Sequence, residues 1–139
     1  MAELDTEILR SLIRQAKSIS THAYAPYSHF AVGAALLTDA GRMFAGCNVE
    51  NSSYGLTSCA ERNAIFQMIG HGDRQIVALV IYTPTATPTA PCGACRQVIS
   101  EFGPDALVLS VCDGSDVLER KIADLLPAAF GPHAMGKPV

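Results

Sequence analysis

Apolar residues recur at Ile8, Leu9, Leu12, Ala16 and Ile19, with charged and polar residues between them. That spacing makes one apolar stripe on a helix, so a helix is predicted over residues 5–21, capped by Asp5 or Thr6. "THAYAPYS", with Pro26, breaks the pattern. "HFAVGAALLTD" is then apolar at odd and even positions alike, as suits a strand covered on both faces. "DAGR" is a turn signal and "MFAGCNVE" reads as a second strand, so residues 29–50 predict a hairpin.

Helical spacing returns in "CAERNAIFQMIGHG", where Cys59, Ala60, Asn63 and Ala64 fall near one face and Gly70 or Gly72 closes the helix. "QIVALVIYT" is a buried strand, and "TPTATPTAP" a proline- and threonine-rich loop. "CGACRQVISEFG" is a third helix, again ending in glycine, and "ALVLSVCD" another buried strand. "DGSDVLERKI" predicts a turn and an edge strand, and "ADLLPAAFG" a short final helix or turn. The order is α-β-β-α-β-α-β-β. Helices alternating with apolar strands predict a three-layer α/β/α sandwich around one five-stranded mixed sheet.

The 139 residues point to one domain, 1–139. At 49% hydrophobic and 17% charged, such a chain can build a core without a metal staple. A net charge of −3 offers no basic stripe for nucleic acid. "MAELDTEILRSL" is acidic and lacks the apolar run of a secretory signal. No stretch is long enough to span a bilayer. A cytoplasmic protein with no nucleic-acid or membrane partner is expected. In that compartment five cysteines argue for a metal or free thiols rather than disulfides.

The cysteines change the picture most. Cys92 and Cys95 form C-x-x-C in "TAPCGACRQV", at the predicted start of the third helix, where residues three apart share a face. Cys59 sits at the predicted start of the second helix. Helix N-termini carry partial positive charge, which lowers thiol pKa. The three can converge on zinc. A fourth protein ligand would make the site structural, and an open position would make it catalytic. Cys47, Cys112, His22, His29, His71 and His133 are the candidates for a fourth ligand, but none lies in a second chelating pattern. Glu61, two residues after Cys59, is placed to reach a water on the metal and carry its proton. Three thiolates on Zn²⁺ leave a net negative charge. Arg62 is the preferred neutralising neighbour, with Arg96 as the second candidate.

"NVENSSYGLTSCAER" followed by "PCGACRQV" closely resembles the small homotetrameric cytidine deaminases. The likeness runs from "YAPYSHFAVGAALL" to "ADLLPAAFGP". The resemblance implies one zinc per subunit on Cys59, Cys92 and Cys95, with Glu61 as proton shuttle. It implies hydrolysis of cytidine or 2′-deoxycytidine to uridine or 2′-deoxyuridine and ammonia, in pyrimidine salvage. Asn48 and Glu50, two apart on an extended segment, share a face. By resemblance they hold the ribose 3′-hydroxyl. Phe30 resembles the aromatic lining the pyrimidine pocket, and Ala60 offers a backbone group to the base. Tyr54 and Phe130 resemble residues that reach into a neighbouring subunit's site, which would make a homotetramer necessary for activity. Ser58, the proline-rich loop and the short tail after Phe130 are the points of departure.

Two rival readings fit the same residues. One is a related zinc deaminase acting on a modified aminopyrimidine, such as the blasticidin S deaminases. The other is a non-catalytic zinc-binding interaction module, in which Glu61 would be dispensable.

Overall fold

The computed structural model describes residues 4–136. Helix α1 spans Thr6–Ser20, and Asp5 rather than Thr6 caps it, its Oδ1 accepting from Glu7 N at 2.7 Å. Strand β1 (Gly33–Thr38) turns through the predicted hairpin into β2 (Met43–Cys47). Next come helix α2 (Ala60–Gly70), strand β3 (Ile76–Tyr82), helix α3 (Gly93–Phe102), strand β4 (Leu107–Val111), edge strand β5 (Leu118–Lys121) and a single turn of helix, α4 (Ile122–Leu125). This is the order read from the sequence, with 3₁₀ turns added at Tyr54–Leu56 and Pro132–Met135. The second of these occupies much of the tail after Phe130; residues 137–139 lie outside the described residues.

The five strands form one mixed sheet in the order β2-β1-β3-β4-β5, with β3 and β4 parallel and the other pairs antiparallel. All six β1 residues are buried, because helices cover the sheet on both faces. Leu12 and Ala16 of α1 pack with Ala35, Leu37, Ala78 and Val80 on one face. Ala64, Ile65 and Met68 of α2, Ile99 of α3 and Ile122 of α4 pack with Ala34, Leu36, Ile81 and Val108 on the other.

Both hairpin strands are shorter than the apolar stretches predicted. The reason is Asn48, whose Oδ1 accepts from Val32 N and whose Nδ2 donates to Phe30 O, each at 2.8 Å. There the side chain takes the Val32 N–H while Asn48 N still donates to Val32 O at 3.3 Å, so only half of the ladder pair survives and regular pairing ends at Gly33 and Cys47. The following segment is stitched elsewhere: Val49 bridges Tyr24 and Ser58. Because Gly33 pairs with Tyr82, the segment entering β1 lies at the carboxyl ends of β3 and β4. Ligands of open α/β sheets gather at that end.

Two contacts fix the helices against the sheet. A Cβ on Gly46 would stand 2.5 Å from Ala64 N and 2.8 Å from Ala60 O, so α2 lies directly on the β2 backbone. At the other end of α2, buried Asp73 accepts from Thr38 Oγ1 at 2.8 Å and Arg42 Nε at 2.9 Å, and pairs with Arg42 Nη2 as well.

We predict that Gly46→Ala lowers stability by about 1–3 kcal/mol through overpacking and weakens zinc retention, since α2 follows directly on Cys59. Urea melts and metal content check this; an unchanged midpoint would contradict the contact. The Arg42 hydrogen bond, aided by Thr38, holds the Asp73 carboxyl at about 2. A depressed carboxyl contributes stability above its ordinary pKa of ~3.9 that is lost as pH falls toward the folded value. Asp73→Asn should therefore flatten the fall in denaturation midpoint between about pH 4 and pH 2.

Candidate active site

Cys59 and Cys92 are the N-cap residues of α2 and α3, and neither side chain caps its own helix. Both thiols are thus free to turn toward a common point. Cys95, one turn into α3, is fully buried and completes the group: the three sulfur atoms all lie within 4.8 Å of one another. Cys59 Sγ and Cys92 Sγ are 3.9 Å apart. Tetrahedral zinc with bonds of about 2.3 Å needs sulfurs about 3.8 Å apart. Spacing and donor chemistry both fit zinc.

The other candidate ligands lie elsewhere. Among the described residues this is the only such cluster, and neither Cys47, Cys112 nor any histidine joins it. Cys112 directs its thiol to the carbonyls of Ala86 and Asp116. His71 Nδ1 lies 2.9 Å from Gln67 O, and its ring packs 5.1 Å from that of Phe44. All five cysteines are free of disulfides.

Charge is arranged around the sulfurs. Arg62, in the first turn of α2, donates from Nη2 to Cys59 Sγ at 3.2 Å. The Cys59 thiol is drawn down to about 5, first by a hydrogen bond from Cys95 and then, against the opposing effect of burial, by Arg62. Cys95, which gives that hydrogen and is buried, is pushed up in turn. Arg62 Nε is buried without a partner among the described groups, an orphan donor beside an anionic sulfur cluster. Arg96 plays a different part from the one considered for it. Its Nε donates to Pro91 O at 2.8 Å and its Nη1 to Leu125 O at 3.0 Å. It is neither a solvated surface side chain nor a sulfur donor; it ties the approach to Cys92 to α4.

Glu61 is 5% exposed. Burial, the largest influence, pushes its carboxyl up, and the neighbouring Cys59 adds to this. It lines a cavity of about 250 Å³ together with Cys59 and Cys92, and Phe30, Asn48, Glu50 and Ala60 line the same cavity. Glu50 accepts from Tyr27 N at 2.9 Å and Ser28 N at 3.2 Å, and from the Ser28 hydroxyl. Those bonds, led by the Ser28 hydroxyl, hold its carboxyl below the usual range. Asn48 and Glu50 thus each fasten one side of the rim.

Tyr54 and Phe130 do not line this cavity. Tyr54 stands at an adjoining groove shared with Tyr27, Ser28, Glu50 and Thr57. Phe130 lies along the C-terminal half of α3, beside Glu101 and His133, its carbonyl accepting from Gln97 Nε2 at 2.9 Å. The pocket also recruits Ser28, Val32, Thr57, Ile81, Thr83, Thr89 and Ala90, none singled out from sequence. Only the threonine-rich composition of residues 83–91 hinted at a polar wall.

Comparison with known proteins agrees with this geometry. The family described as "Cytidine and deoxycytidylate deaminase zinc-binding region" matches residues 6–111. The chain is 47% identical over 124 residues to cytidine deaminase from Sporosarcina psychrophila, covering 88% of this chain and 90% of that one. It superposes on the crystal structure of cytidine deaminase from Burkholderia pseudomallei with a TM-score of 0.83 at 49% identity, covering 87% of this chain and 98% of the other. A blasticidin-S deaminase from Bacillus cereus is more distant, 28% identical over 127 residues, covering 86% of this chain and 89% of that one.

The role of Arg62 is open to measurement. Arg62→Gln removes the charge beside Cys59, so protons should compete better for its sulfur. We expect zinc affinity, read by competition with a chromophoric chelator, to fall about 10-fold; equal affinity would show the contact to be incidental.

Proposed function

The chain belongs to the cytidine and deoxycytidylate deaminase zinc-binding family, and from that premise we propose that it hydrolyses cytidine and 2′-deoxycytidine to uridine and 2′-deoxyuridine, releasing ammonia. The observation that carries this reading is one cavity lined by Cys59 and Cys92, two members of a three-sulfur cluster, and by a buried carboxyl, Glu61. Cys59, Cys92 and Cys95 hold the zinc, one per subunit. Bound there, zinc supplies a Lewis acid that lowers the pKa of a water toward ~7.

The chain's own groups carry the rest. Glu61 takes a proton from the attacking water and delivers it to ring N3 as C4 becomes tetrahedral. It then takes the remaining proton from the new C4 hydroxyl and passes it to the exocyclic nitrogen, so the C4–N bond breaks, ammonia departs and C4 becomes a carbonyl. One carboxyl serves as base and then as acid, so its proton must not leak to solvent. Its near-complete burial supports that duty. Phe30 offers its ring to the pyrimidine, Ala60 a backbone group to the base, and Asn48 and Glu50 the ribose end. Asn48 has given one amide hydrogen and one lone pair to the backbone; an amide has two of each, so one of each remains for a sugar hydroxyl.

The assembly is part of the same proposal. We read residues 1–139 as one domain that forms a homotetramer, with Tyr54 and Phe130 completing neighbouring sites. Their exposure in the single chain supports this, at 73% for Tyr54 and 62% for Phe130, with Leu56 beside Tyr54 at 70%. Placement in the cytoplasm, a role in pyrimidine salvage and the absence of nucleic-acid or membrane partners complete the reading. No helix among the described residues is long and apolar enough to cross a membrane.

Glu61→Gln is expected to keep its zinc and its melting temperature while kcat for ammonia release from cytidine drops by about 10²–10⁴. Near-normal turnover would remove Glu61 from the chemistry. Phe130→Ala should raise KM for cytidine with zinc content unchanged, and light scattering of the wild-type protein should give the mass of four chains. A monomer with full activity would refute the shared site.

A further inference from the structure

The wall of the pocket leading to Cys92 carries a chain of hydroxyls whose proton order can be worked out. Thr85 Oγ1 lies 2.7 Å from Thr87 O. A carbonyl only accepts, so the single hydroxyl proton of Thr85 is committed there. Thr83 Oγ1 lies 2.7 Å from Thr85 Oγ1 and must therefore be the donor of that pair. Thr89 Oγ1 lies 3.5 Å from Thr83 Oγ1, a long contact in which only Thr89 can donate because the Thr83 proton is already engaged. The order is Thr89 to Thr83 to Thr85 to the Thr87 carbonyl.

This chain is anchored at its far end. Asp113 N donates to Thr85 O at 2.9 Å. Gly114 packs so closely on the next residue that a Cβ there would stand 2.3 Å from Ala86 O. Thr83 is fully buried, and both Thr83 and Thr89 line the cavity that holds Glu61 and Cys92. Thr89, three residues before Cys92 in the chain, lines the same cavity as Glu61, Cys59 and Cys92. The reacting carbon and its amino group must sit in that cavity, next to Glu61.

We propose that Thr89 is a specificity-determining residue: with its proton directed toward Thr83, its hydroxyl oxygen presents lone pairs to the pocket and accepts a hydrogen bond from the exocyclic amino group of an aminopyrimidine. The inference rests on the deaminase reading above. Deamination replaces that donor with a carbonyl oxygen, an acceptor. The same Thr89 oxygen that favours the substrate then faces a lone pair of the product and hastens its release. Thr83 acts through Thr89 as a positioning residue.

The test uses the zinc-loaded wild-type protein and three variants. KM for cytidine is measured beside the inhibition constant for uridine, with uridine binding followed independently by calorimetry. In Thr89→Val the ratio of uridine inhibition constant to cytidine KM should fall about 5- to 10-fold, and Thr89→Ser should restore it. Thr83→Val, which keeps the Thr89 oxygen but frees its proton to point at a carbonyl, should lower the same ratio by tightening uridine. If Thr89→Val does not fold, the Thr83→Val ratio decides. Wild-type turnover of cytidine with unchanged ratios in both valine variants overturns the inference and leaves the deaminase reading intact. Absence of cytidine turnover by the wild-type protein overturns both.

Discussion

Three thiols of one small cluster give up their protons together only in exchange for a metal ion, and positive potential already in place beside them favours that exchange. Here that potential comes from two directions. Helices α2 and α3 begin at Cys59 and Cys92 and aim their N-termini at the cluster, and Arg62 donates straight to a sulfur. The sheet exists, in this sense, to bring two helix starts together. The parallel pairing of β3 and β4, bridged by α3, places one of them; the close approach of α2 to Gly46 places the other. An error in either packing contact would separate like charges from the potential that holds them.

The opposite rim of the pocket follows a different principle. Asn48 and Glu50 are polar groups on the edge of a hairpin, and each spends part of its hydrogen-bonding capacity on nearby backbone. Those bonds end β1 early and fix the turn at Tyr27 and Ser28. Side chains held this way lose little freedom when a ligand arrives, which favours binding. The residues proposed to meet the sugar are therefore also those that shape the opening through which it enters.

The element order, the mixed sheet and its coverage by helices on both faces could be read from periodicity, because apolar runs of strand length alternate with helical stripes. The three cysteines were legible from their spacing and from their place at predicted helix starts. What escaped was whatever depends on a side chain choosing a backbone partner. Nothing in the sequence near Asn48 says that its amide will take over one ladder bond at the point where two strands end. Arg96 sits beside a ligand in sequence yet turns away to Leu125, 29 residues distant. The hydroxyl chain of Thr83, Thr85 and Thr89 was visible only as composition. Tyr54 and Phe130 stand apart from the cavity of their own chain, and no single-chain geometry explains why they are exposed.

The two faces of the sheet have divided their duties. The cluster built around Leu12 and Ala16 shares no residue with the one that carries Ala60 and Ile81 to the pocket. Durability can thus be tuned on the α1 side, by repacking that layer, with the chemistry on the far side left at its own setting. A catalyst so divided has room to adapt to heat or cold without renegotiating its reaction.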